Sequence, residues 1–341
     1  MKILITGGAG FIGSNLIFHL ISKYKDYKIY CLDALTYSGN LINLTKVIKN
    51  PNFTFIKADL RDAKKINEIF KEYEFNIIIN LAAESHVDRS IEDPNIFLET
   101  NIIGTANLMN AALKLKDLKL FYQISTDEVY GDLPLDRPDL LFDENSPINP
   151  SSPYSTSKAS ADLLVEAYHR TYGLPIIISR CSNNYGPFQF PEKLIPLMIY
   201  RASNDKSLPV YGNGENVRDW LHVKDHAKAI DLIMHKGKIG EIYNIGGHNE
   251  LSNIEVVRCI LKHLNKSEDL ISYVSDRKGH DLRYAINPSK LEALGFKPDY
   301  DFKSGIKETI DWYINNSKWM DTIINGEYLM YYDKMYNMRE K

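Results

Sequence analysis

The chain has 341 residues, a formal net charge of −3 with neutral histidines, and 44% hydrophobic and 25% charged residues. This composition excludes a disordered, collagen-like or disulfide-stapled chain, and the length predicts two domains or one large domain with an appendage. Without a basic excess or long runs of like charge, we expect no nucleic-acid partner. Apolar stretches are too short to span a bilayer, so we expect no membrane partner.

The cysteine content points to a reducing compartment. Three widely spaced cysteines, Cys31, Cys181 and Cys259, fit neither a disulfide framework nor a zinc knuckle. The start of the chain runs quickly into glycines and does not fit a secretory signal. We therefore expect a cytoplasmic protein.

Short β-branched runs alternate with amphipathic stretches through the first half of the chain. Strands are predicted at residues 2–6, 28–32, 53–57, 76–80, 118–124 and 175–179. Helices are predicted at residues 10–23, 62–73 and 96–115. Strands that alternate with helices and are apolar on both faces are typical of a parallel sheet covered on both sides. The pattern predicts an α/β fold with a doubly wound parallel sheet over residues 1–180.

The second half has a looser pattern. Turn signals cluster at residues 184–187, 212–214 and 246–247. Helical patterns return at residues 252–265, 288–294 and 303–315. We expect residues 181–341 to form a smaller, mixed C-terminal lobe that closes over the sheet. The boundary is approximate, and later segments can return to the first domain.

A glycine-rich turn follows the first predicted strand. Gly7, Gly10 and Gly13 form a G-x-x-G-x-x-G pattern that opens the first helix. The absent Cβ atoms permit a tight turn, close approach of a pyrophosphate and close packing of helix on strand. The helix N-terminus offers free N–H groups to phosphates. A plain glycine turn is the alternative, but the strand before and the helix after favour dinucleotide binding.

Two acidic residues follow the next strands. Asp33 ends the second strand, twenty positions after Gly13, where a carboxylate accepts hydrogen bonds from ribose hydroxyls and repels a 2′-phosphate. This placement favours NAD over NADP, although a strand-end Asp also caps turns. Asp59 follows the third strand, where contact with adenine and capping of the next helix are equally good interpretations.

Tyr154 and Lys158 form a Y-x-x-x-K pair at the head of a helical stretch. The spacing of four residues places both side chains on one helical face. A nearby ammonium lowers the pKa of a phenol, so the tyrosine becomes a usable base near neutral pH. The pattern alone also fits a surface helix, but after a dinucleotide-binding turn it indicates catalysis.

The fifth predicted strand leads into Thr126, Asp127 and Glu128. In an open α/β sheet, ligands bind beyond the carboxyl ends of the strands. Two adjacent carboxylates in a closed site do not both ionise easily, so their environments can leave one acid and one base. The alternative is a pair of solvated loop acids. The strand-end position, in a chain with the two preceding motifs, favours catalysis.

Together these motifs resemble the extended short-chain dehydrogenase/reductase family, and within it the dTDP-glucose 4,6-dehydratases, over nearly the whole chain. The resemblance is carried by residues 7–14, 33–37, 81–90, 125–131, 152–158, 183–187, 190–194, 218–220 and 276–284. The Thr-Asp-Glu triplet is the most specific of these segments, because related epimerases and decarboxylases do not carry both acids. The resemblance implies a Rossmann-type sheet, NAD as cofactor and a C-terminal lobe that binds a sugar nucleotide.

The resemblance also implies a reaction, in which dTDP-glucose becomes dTDP-4-keto-6-deoxyglucose and water. Tyr154 would deprotonate the 4-hydroxyl while C4 gives a hydride to NAD, with Lys158 holding the nicotinamide ribose and Thr126 steadying the 4-oxygen. Glu128 would remove the C5 proton and Asp127 would protonate the departing 6-hydroxyl. The hydride would then return to C6.

The implied binding residues form two sets. The cofactor set is Gly7, Gly10, Phe11, Ile12, Gly13, Asp33, Ala34, Leu35, Thr36, Asp59, Leu60, Leu81, Ala82, Ala83, Ser85, Thr100, Tyr154, Lys158 and Asn184. The sugar-nucleotide set is Ser85, Thr126, Asn183, Lys193, Leu194, Pro209, Val210, Tyr211, Arg218, Asn253, Asp276, Arg277, Lys278, Gly279 and His280. Independently of the resemblance, Arg218 suits bidentate pairing with a diphosphate, against the alternative of a surface salt bridge. Lys278 stands where the resemblance implies proline.

Several alternatives stay open at this point. The same fold accommodates a UDP-glucose 4,6-dehydratase, a nucleotide-sugar epimerase or decarboxylase, and a non-catalytic NAD-sensing protein. His222 and His226 are four residues apart, as metal ligands on a helix can be. The sequence indicates no third ligand, so we interpret both as structural and expect no metal. The resemblance implies a homodimer that pairs helices 96–115 and 155–172.

Overall fold

The central element of the fold is a seven-stranded sheet, seen in a computed structural model that describes residues 1–324, 330 and 332. Its strand order is β10-β6-β5-β4-β1-β2-β3, and every neighbouring pair is parallel. Its strands are β1 (Lys2–Thr6), β2 (Lys28–Asp33), β3 (Phe53–Lys57), β4 (Ile77–Asn80), β5 (Leu120–Thr126), β6 (Ile176–Cys181) and β10 (Ile242–Ile245). The predicted doubly wound parallel sheet is confirmed.

Helices cover both faces of this sheet. Among residues 1–324 the α-helices are α1 (Phe11–Lys23), α2 (Ala63–Glu72), α3 (Val87–Glu92), α4 (Pro94–Phe97), α5 (Thr105–Ala112), α6 (Pro153–Tyr172), α7 (Leu194–Ser203), α8 (Val223–Lys236), α9 (Asn253–Leu264), α10 (Ser289–Glu292), α11 (Phe302–Asn315) and α12 (Ser317–Ile323). Ile3 and Ile5 of β1 share a core with α1 and α8, whereas Leu4 shares a core with α2, α5 and α6. Side chains of a strand alternate between faces, so an unbroken apolar strand serves both cores.

A smaller lobe follows β6. It contains a sheet of order β11-β9-β7 and a pair β12-β8. The strands are β7 (Asn183–Tyr185), β8 (Leu208–Tyr211), β9 (Val217–His222), β11 (Glu250–Ser252) and β12 (Ile271–Val274). Side chains from α7, α9, α11 and α12 enclose a separate hydrophobic core with β8 and β9. The end of the predicted C-terminal lobe, at residues 325–329, 331 and 333–341, lies outside the described residues.

Two features differ from the sequence-based expectation. The predicted helix 96–115 is interrupted, because a π-helical segment, Leu98–Gly104, separates α4 from α5. Asn101 within this segment hydrogen-bonds the backbone of Glu84 and the hydroxyl of Ser157. In addition, β10 extends the central sheet and α8 packs against it, although both follow residue 180. The division near residue 180 stays a prediction, with these two elements returning to the first sheet.

No helix among residues 1–324 has the length and apolar character needed to cross a membrane.

A buried carboxylate joins the first helix to α8. Asp231 of α8 accepts hydrogen bonds from Lys23 Nζ at 2.6 Å and Tyr24 Oη at 2.9 Å, and its Oδ2 lies 2.8 Å from His19 Nε2. Hydrogen bonds from His19, Lys23 and Tyr24 outweigh burial and lower the pKa of Asp231 to about 2. This cluster holds the dinucleotide-turn helix onto the second half of the chain.

Asp231→Asn is expected to destabilise the protein by about 1–2 kcal/mol at pH 7. The folded-state pKa of Asp231 is depressed, so its stabilising contribution is present above the unfolded-state pKa near 4 and is lost as the pH falls towards 2. Urea unfolding of both proteins at pH 7 and pH 3 tests this. A stability difference that stays constant or grows on acidification would contradict the assignment.

Candidate active site

One cleft runs along the carboxyl edge of the central sheet. The order β4-β1-β2 places the ends of these strands side by side at the point where the strand order reverses, which is where open α/β sheets bind ligands. The cleft is lined by residues from the glycine turn, from the ends of β2, β4, β5 and β6, from α6 and from the segment before α7. All five expected catalytic residues line it: Thr126, Asp127, Glu128, Tyr154 and Lys158.

The glycine turn is compact because its backbone segments touch. Gly7 has a φ of +67°, and a Cβ there would stand 2.8 Å from the backbone of Ala82. A Cβ on Gly13 would stand 2.4 Å from the carbonyl oxygen of Gly7. Neither position accepts a side chain, so the start of α1 lies directly against the edge of the sheet.

Asp33 ties this turn to the loop after β2. Its Oδ2 accepts the N–H of Ala9 at 2.9 Å and its Oδ1 accepts the N–H of Leu35 at 2.8 Å. Burial raises the pKa of Asp33, and the two backbone hydrogen bonds oppose that shift. Asp33 therefore does cap the turn after β2, through the N–H of Leu35. Each of its carboxylate oxygens still has a lone pair that can accept a hydrogen bond from a ribose hydroxyl.

Asp59 is not a helix cap. The N-cap of α2 is Asp62, whose side chain accepts the N–H of Lys65. Asp59 instead pairs with Arg61, with Nη2 donating to Oδ2 at 2.6 Å, and both side chains line the cleft. Of the two interpretations of Asp59, helix capping is excluded, and contact with adenine stays a prediction.

Tyr154 and Lys158 lie in the first turns of α6. Ser152 caps this helix through a reciprocal capping box with Ser155, and Pro153 occupies the first turn. Lys158 Nζ donates to the carbonyl oxygen of Ile124 at 2.7 Å, so the ammonium is anchored beneath the end of β5. The spacing-based expectation of one shared face is consistent with the common cleft that both residues line.

The expected low pKa of Tyr154 is wrong in this structure. Burial raises the pKa of the phenol well above its ordinary value, and the nearby Glu128 carboxylate adds to the shift. Burial also lowers the pKa of Lys158, because a desolvated ammonium is costly. The sequence pattern could not reveal this, since it reports the spacing of the pair and not its desolvation.

The two acids after β5 have different surroundings. Asp127 is 1% exposed, and burial together with the charges of Glu128 and Asp219 raises its pKa well above the ordinary value. Burial also raises the pKa of Glu128, but the positive charges of Arg277, Lys193 and Arg218 oppose it. Burial thus favours the protonated form of Asp127, whereas Glu128 faces cations that favour its ionised form. The difference in their surroundings is consistent with one acid and one base, and that assignment stays a prediction.

All of the expected cofactor residues except Leu35 line the cleft. Four of the expected sugar-nucleotide residues also line it, namely Ser85, Thr126, Asn183 and Lys193. The other expected sugar-nucleotide residues lie outside the lining, at the start of α7, on β8 and β9, at the start of α9 and on the loop after β12: Leu194, Pro209, Val210, Tyr211, Arg218, Asn253, Asp276, Arg277, Lys278, Gly279 and His280.

Two cations from this second group approach the catalytic acids. Arg218 is 4% exposed and donates to the carbonyls of Val217, Leu282 and Asp281, so the surface salt bridge is excluded. Its positive charge, like that of Arg277, lowers the pKa of Glu128. The small lobe therefore brings positive charge to the catalytic end of the cleft.

Sequence reasoning missed several lining residues, among them Arg61, Glu84, Cys181, Phe190 and Glu192. The signal for Cys181 was its place at the end of β6, directly paired with Thr126 of β5. Glu84 and Glu192 lie inside segments that carried the family resemblance, but their own spacing indicated no role.

A cluster of side chains connects the segment after β2 to the segment before α7. Arg89 Nε donates to Glu192 Oε2 at 3.0 Å, and the Arg89 guanidinium lies 4.0 Å from the ring centre of Tyr37. Tyr37 meets Phe190 edge to face with 5.4 Å between ring centres. Since Tyr37 follows β2 and Glu192 precedes α7, these contacts join the first domain to the small lobe across the cleft.

Asp127→Asn is expected to raise the melting temperature at pH 7–8 by about 2 °C or more. The folded-state pKa of Asp127 is raised, so the folded protein binds more protons than the unfolded chain and stability falls as the pH rises above about 4. The neutral amide of asparagine does not ionise, so the variant does not lose this stability as the pH rises. Calorimetry from pH 4 to pH 8 measures the difference, which should widen with pH.

The matched control for this variant is Asp139→Asn. Asp139 is exposed, and its hydrogen bond from Arg137 lowers its pKa, so the amide should not raise the melting temperature. An Asp127→Asn protein that melts at or below the wild-type temperature across this pH range would contradict the protonated assignment.

Comparison with known proteins places the chain in a family. The model of the family described as GDP-mannose 4,6 dehydratase matches residues 4–309. A dTDP-glucose 4,6-dehydratase of Escherichia coli is 51% identical, with 96% of this chain and 98% of that protein covered.

Solved structures agree with this placement. The crystal structure of a dTDP-glucose 4,6-dehydratase from Bacillus anthracis in complex with NAD is 49% identical, has a TM-score of 0.87 and covers 95% of this chain and 99% of its own. A dTDP-glucose 4,6-dehydratase from Streptomyces venezuelae with NAD bound is 43% identical, has a TM-score of 0.90 and covers 95% of this chain and 100% of its own. The family resemblance inferred from the motifs is confirmed, and this chain belongs to the GDP-mannose 4,6 dehydratase family.

Proposed function

We propose that this protein is a dTDP-glucose 4,6-dehydratase, which converts dTDP-glucose to dTDP-4-keto-6-deoxyglucose and water. The observation that carries the proposal is the meeting of Thr126, Asp127, Glu128, Tyr154 and Lys158 in one cleft headed by the glycine turn. Relatives of that activity, about half identical over nearly the whole chain, support it.

NAD is the proposed cofactor. The backbone approach at Gly7 and Gly13 leaves a cradle without side chains at the helix N-terminus, which fits a pyrophosphate. Asp33 keeps acceptor capacity for ribose hydroxyls. When bound, NAD supplies the acceptor for the hydride of C4 and returns that hydride to C6.

Oxidation at C4 needs a base at the 4-hydroxyl. Tyr154 takes that proton, and Thr126 hydrogen-bonds the 4-oxygen. Lys158, anchored on the Ile124 carbonyl, would hold the ribose of the cofactor and direct its charge towards Tyr154. The oxidised nicotinamide is itself cationic, so its arrival favours the phenolate against the burial that raises the pKa of Tyr154.

Elimination of water needs a base at C5 and an acid at the 6-hydroxyl. The new 4-ketone acidifies the C5 proton, and Glu128 removes it. Asp127, held protonated by burial, donates its proton to the departing 6-oxygen. The departing 6-oxygen leaves as one water. When the hydride returns to C6, Glu128 gives its proton back to C5, and the proton that Tyr154 took from the 4-hydroxyl returns to Asp127 through solvent.

The small lobe is the proposed site of the nucleoside diphosphate. Lys193 donates to the carbonyl of Ser85 at 2.8 Å, and its charge acts on Glu128, so it would pair with the diphosphate next to the reacting sugar. Arg218 and Arg277 supply further positive charge on the same side. We accordingly propose residues 1–180 as the NAD-binding domain and residues 181–341 as the sugar-nucleotide lobe, with β10 and α8 packed on the first sheet.

The decisive experiment uses dTDP-glucose deuterated at C4 with purified protein and no added NAD, followed by mass spectrometry and NMR. Loss of one water with deuterium recovered at C6 is expected, because the same cofactor takes and returns the hydride. Asp127→Asn, which removes the acid, should slow turnover by about 10²- to 10⁴-fold.

The other outcomes identify the alternatives. Unchanged mass with inversion at C4 would indicate an epimerase, and faster reaction of UDP-glucose in a parallel assay would indicate the UDP-specific enzyme. No reaction with either sugar, even with NAD supplied, would leave a binding role. An Asp127→Asn protein with wild-type turnover would exclude the dehydratase mechanism.

We further propose a homodimer that pairs the helical segment 94–112 and α6 across a two-fold axis. Large apolar side chains on these helices are exposed, including Ile103 at 55%, Leu163 at 50% and Tyr172 at 61%. Exposed apolar residues on adjacent helices are typical of a subunit interface.

Sedimentation tests the dimer. The wild-type protein should sediment at twice 39.1 kDa, and the double variant Ile103→Glu, Leu163→Glu should sediment at 39.1 kDa. Ile239→Glu, at an exposed apolar residue outside these helices, is the control and should stay dimeric. A wild-type protein at 39.1 kDa would overturn the proposal.

A further inference from the structure

A buried histidine contacts the wall of the cleft from behind. His226, in the first turn of α8, is fully buried, and its Nδ1 lies 2.8 Å from Oδ1 of Asn184. Asn184 lines the cleft, whereas His226 does not. Sequence analysis assigned His226 only a structural role.

The orientation of the Asn184 amide follows from its partners. Nδ2 lies 2.9 Å from the carbonyl oxygen of Ser182, which can only accept a hydrogen bond. The amide nitrogen must therefore face Ser182, and the amide oxygen must face His226.

This orientation determines the tautomer of the histidine. Because Oδ1 of Asn184 can only accept, Nδ1 of His226 carries the proton and donates it. Burial lowers the pKa of His226 to about 3, so the ring is neutral at working pH. Nε2 is the unprotonated nitrogen, and it has no hydrogen-bond partner among the described residues.

Asn184 passes this restraint to the catalytic end of the cleft. Its Nδ2 is also 3.4 Å from Sγ of Cys181, and that thiol donates to the carbonyl of Ser125 at 3.5 Å. Cys181 is the strand partner of Thr126, and both line the cleft with Tyr154 and Lys158. The backbone of residues 181–184 is held by strand pairing, and the side-chain amide of Asn184 is joined to α8 by the hydrogen bond from His226.

We propose that His226 is a positioning residue, which holds the side-chain amide of Asn184, one of the expected cofactor residues, in a fixed orientation at the catalytic end of the cleft. The inference rests on the proposed function and deepens it. His226 touches no reacting atom. Its effect should appear in the hydride steps and in cofactor retention, and not in affinity for the sugar nucleotide.

The test compares two substitutions of His226. In His226→Asn the new amide nitrogen lies close to the position of the histidine Nδ1, so it can still donate a hydrogen bond to Asn184. His226→Leu has no donor at this position. His226→Leu should lower kcat about 5- to 10-fold with KM unchanged, the loss expected for one hydrogen bond of about 1 kcal/mol. His226→Asn should restore at least half of the wild-type kcat.

A second readout does not need turnover. Release of bound NAD, followed after dilution into excess unlabelled cofactor, should be about 5-fold faster from His226→Leu and unchanged for His226→Asn. His222→Asn is the matched control, since His222 is also buried at the start of α8 and packs 4.0 Å from the Tyr300 ring instead of the cleft. It should behave as wild type in both assays.

The outcomes separate the two proposals. A wild-type protein without dehydratase turnover removes the proposed function, and the NAD release rates still decide the role of His226. Equal kinetics for the Leu and Asn variants, or equal losses in the His222 control, would overturn the positioning role. Melting temperatures of all three variants distinguish these results from general unfolding.

Discussion

The structure depends on the contact between Gly13 and Gly7, where backbone meets backbone with no room for a side chain. This contact lets α1 begin at the edge of the sheet and not above it. The helix N-terminus and the ends of β1, β2 and β4 then share one surface, which is the floor of the cleft. Asp33 stabilises the same arrangement from the next strand, through its bonds to the turn and to its own loop.

Burial is the dominant electrostatic influence in this cleft. It is the largest cause of the pKa shifts of four residues that line the same cleft: Asp127, Glu128, Tyr154 and Lys158. The cations of the small lobe then make the two acids different, because Arg277, Lys193 and Arg218 oppose the rise in the pKa of Glu128. A site of this kind costs folding free energy and supplies groups with different protonation at one pH.

Segments from both halves of the chain hold the cleft in shape. The hydrogen bond from Arg89 to Glu192 connects the first half of the chain to the small lobe, and Asp231 connects α1 to α8. Within the second half of the chain, the hydrogen bond from His226 to Asn184 joins α8, which packs on the central sheet, to β7 of the small lobe. Each connection links residues that are far apart in sequence, so the two halves support one rigid site.

Sequence alone determined the parallel sheet, the dinucleotide turn, the Tyr-Lys pair and the acid pair, because these depend on local spacing and on which residues end a strand. It allowed for later segments that return to the first domain but did not identify α8 and β10 as those segments, since a short edge strand and a helix after the turn-rich region carry no signal of where they pack. It also predicted the wrong pKa direction for Tyr154 and could not orient Asn184. Those properties depend on desolvation and on contacts such as His226 with Asn184, which exist only once distant segments are packed together.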